Sequence, residues 1–239
     1  MALGKPHLLP EKWYVFALLL GLASATVLIC WWSTDRVGEQ EYRYMIRVSV
    51  RCSWPILLLV LVGSSARRLW PGEASSWLLR NRKFIGLAFS AAMVWQVLFI
   101  GLLIGTGAPL FPPGLSSIFI ASDMVAYAIL LAMTATSFDA LKLRMLPSHW
   151  RFLHATGIYY IWFIYTYSWC AGMYFARQSL LDFAGYSLLF LSAIAAGGLR
   201  FSAWRAGGLR RVQSIGTGQI YSKSATVPSK GTPRISSNG

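Results

Sequence analysis

Between Trp13 and Trp204 the chain is a ladder of apolar segments, with Lys and Arg collected in alternate gaps. This pattern constrains the fold more than any other feature. A bilayer interior holds no water for backbone N–H and C=O groups, so a spanning segment must bond internally, and a helix needs ~20 mostly apolar residues to cross. The sequence therefore predicts an all-α polytopic membrane protein. Only 13% of residues are charged and 56% are hydrophobic, where a soluble domain carries about 25% charged residues. The 11 Trp and 11 Tyr gather near segment ends, as in Trp31-Trp32, Trp70, Trp77 and Trp150. That is the headgroup level, which amphipathic rings favour.

Six spans are predicted, at 13–32, 48–66, 84–104, 116–136, 152–174 and 181–203. Together they form one transmembrane domain over 13–206, preceded by a short cytoplasmic segment (1–12). The first span is read as a retained anchor. Lys5, Lys12 and Ala23-Ser24-Ala25 resemble a cleavable leader, but the apolar run continues through Val27-Leu28-Ile29-Cys30-Trp31-Trp32. Orientation follows from the cations. The N-terminus, the gap after span two, the gap after span four and the C-terminus hold 17 Lys and Arg, and the opposite side holds five, Arg36, Arg43, Arg47, Arg51 and Arg177. Positive residues stay cytoplasmic, so both termini are expected inside. The gap 105–114 (GTGAPLFPPG) is uncharged and reads as an outer turn. The stretch 67–83, with Trp70, Trp77, Leu78 and Leu79 among five basic residues, reads either as an ordinary basic loop or as a segment lying flat on an anionic leaflet. The tail 207–239 is rich in Gly, Ser, Thr and Lys without periodicity and is expected to be disordered.

The net charge of +14 does not indicate nucleic acid, because the cations sit on short gaps between spans and not on one face. The lipid bilayer is the expected partner. No G-x-G-x-x-G or phosphate-binding loop is present. Cys30, Cys52 and Cys170 lack metal-site or redox spacing and read as small apolar residues.

The most distinctive motif is AMTATSFDALKLRMLPSHWRFLHATGIYYIW, residues 132–162, with Thr136-Ser137-Phe138-Asp139 leaving span four, then Trp150, Arg151 and Leu153-His154 opening span five. A second is Arg82-Lys83-Phe84-Ile85-Gly86-Leu87 opening span three. On these residues the chain, over about 45–203, resembles the ferric-reductase-like transmembrane domain, and within it the haem-binding membrane subunits of periplasmic methionine-sulfoxide reductase systems. The resemblance implies a six-helix bundle in a bacterial inner membrane. It also implies haem b held by paired His between helices three and five, with electrons exchanged with a soluble reductase or a periplasmic redox partner. A haem iron takes axial donors from opposite faces, which two facing helices can supply.

The chain departs from that pattern in its donors. It has three His: His7, His149 and His154. Only His154 stands at a ligand position implied by the resemblance, and Gln96 and Tyr167 stand at two others. His154 reads as a haem ligand, with Arg82 or a neighbour opposite, or as an interfacial residue beside Arg151. Gln96 and Tyr167 read as a facing pair that hydrogen-bonds, or Tyr167 as an axial ligand. The aromatic run from Tyr159 to Trp169 reads as bulk filling a former haem slot, or as packing. Asp123 is the one acid well inside a span and is a functional candidate on that ground. Asp139 is expected to pair with Arg144 or Arg151 or to cap span five. Three functions stand open. One is a bundle that has lost its haem and serves a structural, partner-binding or ligand-binding role. The second is a haem b electron carrier using His154 with a separate reductase. The third is a small permease using Asp123.

Overall fold

The computed structural model describes residues 12–110, 116–175 and 179–224, with side chains over 12–110, 119–174 and 179–206. The expectations for His7, for the leader-like first residues, for Arg177, for the middle of the outer turn and for the end of the tail lie outside these residues. Among the described residues, seven helices run in order: α1 (Trp13–Trp32), α2 (Glu39–Leu69), α3 (Glu73–Gly105), α4 (Ser116–Ala135), the single turn α5 (Asp139–Lys142), α6 (Pro147–Phe175) and α7 (Leu180–Ser224). Among the described residues, α1, α2, α3 and the 180–206 part of α7 are long and apolar enough to cross a membrane, as an integral membrane protein requires. The apolar part of α4 described at 119–135 is shorter. Helix α6 has ample length, but Tyr, Trp, His and Ser interrupt its apolar character.

The helices begin and end where their backbone groups find partners, beyond the apolar runs. The stretch 67–83 is neither a loop nor a separate surface segment. Helix α2 runs to Leu69 and α3 starts at Glu73, so most of the stretch is helix. The turn between them is closed by Ser75, whose Oγ accepts the Gly72 N–H at 3.0 Å and donates to the Trp70 carbonyl at 2.9 Å. Trp77 and Leu78 then pack on the core, while Trp70 and Leu79 face outward. Helix α7 continues to Ser224, so the first part of the expected disordered tail is helical.

Helices α2, α3, α4, α6 and α7 close a ring, each packed on the next, and α7 returns to α2; α1 lies outside, against α2 and α3. The ring is drawn together at a buried knot. Tyr165 of α6 is 6% exposed. Its hydroxyl meets Ser53 Oγ of α2 at 2.8 Å and the Met93 sulfur of α3 at 3.1 Å. The Tyr165 ring stacks on Trp54 with centroids 5.3 Å apart. Trp54 also reaches α7, donating its indole N–H to Ser192 Oγ at 3.0 Å. Similar polar ties join the other neighbours. Trp95 bonds Ser24 at 3.0 Å, Thr134 bonds Ser90 at 2.8 Å, Tyr160 bonds the Ser122 carbonyl at 3.1 Å, and Trp162 bonds the Ala193 carbonyl at 3.0 Å. Between helices in lipid, each such bond contributes ~1 kcal/mol. Tyr165→Phe is expected to lower unfolding free energy by about 1 kcal/mol, because Ser53 keeps its bond to the Val50 carbonyl. Reversible unfolding in mixed micelles measures the difference.

Candidate functional site

Inside the ring two cavities stack along the bundle axis. One, of about 370 Å³, lies toward the start of α2 and is lined by Arg43, Arg47, Met93, Gln96, Asp123, Tyr127 and Ser168 among apolar residues. The other, of about 740 Å³, lies toward the end of α2 and is lined by Arg68, Arg82, Lys83, Lys142, Arg151, His154 and Arg200 with an apolar inner wall. Phe89, Leu130 and Ile161 line both cavities and separate them. All three are buried. The aromatic run on α6 therefore does not fill the interior. Helical periodicity divides it: Ile158, Ile161, Tyr165 and Trp169 turn inward, and Tyr159, Phe163 and Tyr167 turn outward.

That division decides the fate of the Gln96–Tyr167 pair. Tyr167 is 45% exposed and its ring lies against Phe119 and Phe163, with centroids at 5.7 and 6.5 Å. The expected hydrogen bond between them does not form. Thirteen residues past His154 is about 220° around a helix at ~100° per residue, so Tyr167 cannot share the face of His154. The residues of α6 that face the first cavity are Ile161, Ile164, Tyr165, Ser168, Trp169 and Gly172. Gln96 does face that cavity, where its side-chain oxygen is buried without a hydrogen-bond partner, as is the Tyr127 hydroxyl. Asp123 lines the same wall and makes no hydrogen bond or ion pair to a described residue. At the cavity's end Arg43 pairs with Glu39 at 2.7 Å and also donates to the carbonyls of Pro109 and Leu110, tying α2 to the turn after α3.

In the larger cavity His154 is half-buried. Its Nε2 lies 3.2 Å from the Thr136 hydroxyl, and its ring packs on Trp150 with centroids 4.5 Å apart. The Trp150 indole donates to the Thr136 carbonyl at 3.1 Å, which fixes the start of α6 on the end of α4. The motif read from the sequence at 132–162 is thus a joint between two helices. Asp139 meets neither Arg144 nor Arg151. Its carboxylate is 3.7 Å from Lys83 Nζ, and its side chain is 80% exposed. Arg151 is exposed and lines the cavity with Arg82, which does share the chamber with His154.

These residues do not fit a haem held by two imidazoles. His149 is exposed at the start of α6. The other soft donor on the wall, Met133, packs on Gly157, one turn beyond His154. Both therefore belong to the α4–α6 side, and a pair of axial ligands must come from opposite sides. No group of three or more His, Cys, Asp or Glu able to hold a metal ion occurs among the described residues. The cysteines are free thiols.

Two features of the site escaped the sequence reading. Tyr165 was one aromatic residue among many, and only the inward face of α6 distinguishes it. Arg200 is one of the 17 cations that the sequence assigns to the cytoplasmic side, although it stands inside the span at 181–203, where a charge is itself a signal. It donates from Nε to the Tyr159 hydroxyl at 3.2 Å and lies over that ring at 4.5 Å. No family model, curated protein or solved structure matches this chain.

Proposed function

We propose that this chain is a six-span membrane bundle of the ferric-reductase-like type, with both termini cytoplasmic in a bacterial inner membrane, that holds a small ligand in its interior in place of paired-His haem. The observation that carries this reading is the pair of stacked cavities inside the ring, served by one imidazole, that of His154, whose Nε2 is already in contact with Thr136. Empty space is costly in a helical bundle, because its lining loses dispersion contacts, and the interior here is shaped as two chambers where the aromatic side chains of α6 had room to fill it. A second reading is haem b bound through His154 alone with an outside ligand, serving a separate reductase. It is favoured by the 740 Å³ volume of the His154 chamber.

A reduced-minus-oxidised absorption spectrum of the detergent-purified protein, expressed with haem precursor supplied, separates the two. The expected result is well-folded protein without stoichiometric b-type bands. One haem per chain, lost in His154→Ala, would establish the second reading and overturn the first.

A further inference from the structure

The larger cavity is strongly cationic. Its wall carries six Lys and Arg side chains and one acid, Asp139, and that acid is largely solvated and spent on Lys83. A positive side at a membrane surface is ordinary when its cations sit on loops. Here they come from five separate places in the sequence (the end of α2, the first half of α3, the turn α5, the start of α6 and the middle of α7) and converge on one chamber. Two are not at the surface in the ordinary sense. Arg200 has a buried Nη1 with no hydrogen-bond partner. Arg82 is partly buried and makes no hydrogen bond or ion pair to any described residue. A buried cation without an anion is costly, and like charges gathered in one chamber add to that cost.

The rest of the wall states what the anion is attached to. The Ser137 hydroxyl lines the chamber on the side of the cations, and beyond it Leu57, Val60 and Ile158 lead to the Phe89–Leu130–Ile161 layer, beside which the Ser90 and Thr134 hydroxyls are bonded to each other at 2.8 Å and to backbone carbonyls. The chamber is thus charged at one end and apolar at the other, which is the profile of an amphiphile with an anionic head. We infer that it binds one anionic phospholipid, with the phosphate between Arg82 and Arg200 and an acyl chain along the apolar wall. Guanidinium groups suit the phosphate, since each offers forked donors. The inference rests on the reading that the chamber is not a haem pocket, and it names the ligand.

Native mass spectrometry of the delipidated full chain in detergent, titrated with phosphatidylglycerol or phosphatidylcholine of the same acyl composition, tests it. The expected result is one phosphatidylglycerol per chain, held at least tenfold more tightly than phosphatidylcholine, with the preference lost in Arg82→Gln/Arg200→Gln. Should that double variant fail to fold, Gly86→Leu keeps every charge. Gly86 lines the chamber, and a Cβ built there meets no atom within 4 Å, so there is room for a side chain to enter the chamber. It is therefore expected to fold normally and to occlude the lipid, also abolishing the tenfold preference. Equal binding of the two lipids, or a preference that survives in a folded variant of either kind, overturns the inference, since lipids bound only around the outside of the bundle would behave so. Full competition by millimolar inorganic phosphate overturns it too and assigns the cations to a soluble phosphate. Haem bands in the purified protein would remove the underlying reading instead, an outcome that the spectrum reports independently of lipid binding.

Discussion

Trp54→Ala is expected to remove about 3 kcal/mol of unfolding free energy in mixed micelles, near the low end of the range for large aromatic truncations. Trp54 is 1% exposed. It stacks on Tyr165, meets Trp169 edge-on with centroids 6.2 Å apart, and bonds Ser192 at 3.0 Å. It therefore joins α2 to both α6 and α7, closing the side of the ring away from α4. The low end of the range applies because lipid and detergent tails are themselves apolar. Unfolding inside a micelle exposes little new surface to water, so the transfer part of the loss shrinks, and the void and its missing dispersion contacts remain. Trp54→Phe keeps the stack and forfeits mainly the indole N–H bond, so it should retain most of the stability. An Ala variant as stable as the parent would mean that the knot at Tyr165 does not hold the ring together.

A second large effect is expected at Gly197. A Cβ built there would lie 2.8 Å from Trp162 Cζ2. The indole cannot swing away cheaply, because its N–H is bonded to the Ala193 carbonyl at 3.0 Å. Gly197→Ala is therefore expected to cost about 1–3 kcal/mol through overpacking, outweighing the ~0.5–1 kcal/mol that alanine ordinarily gains over glycine in a helix. Gly198, the next residue, has nothing within 4 Å of its would-be Cβ. Gly198→Ala should be neutral or stabilising. The same unfolding assay on the two variants gives opposite signs if α6 and α7 pack through Gly197, and matching signs if they do not.

The helices were legible because lipid imposes a simple demand. Trp13–Trp32 matches its apolar run residue for residue, and Ser116–Ala135 differs from its run by one residue. Helices α2 and α3 reach well past theirs, at both the 39–47 and 73–83 ends. An apolar run records what the hydrocarbon requires, whereas a helix stops only where its backbone finds another partner, as at Ser75. Facing residues were harder to read. Counting thirteen positions from His154 reached Tyr167, yet the inward face of α6 passes through Tyr165 and Ser168, and only rotation about the axis tells these apart. Convergence was legible only in part. The sequence sets Arg82 opposite His154 and Arg151 beside it, whereas Arg200 is one more cation at the basic end of the last span. Only the closed ring brings them onto one chamber.

The Phe89–Leu130–Ile161 layer has an electrical meaning as well. A chamber that admits water conducts, and a layer of packed hydrocarbon does not. With no lipid in the larger chamber and water in both, a membrane voltage would drop mainly across these three side chains instead of evenly over the bilayer. A unit charge moved across that thin insulator would exchange about 2.3 kcal/mol with the field for every 100 mV. Asp123 lines the chamber on one side of it and His154 the chamber on the other, so these two titratable groups stand at opposite plates of the same capacitor.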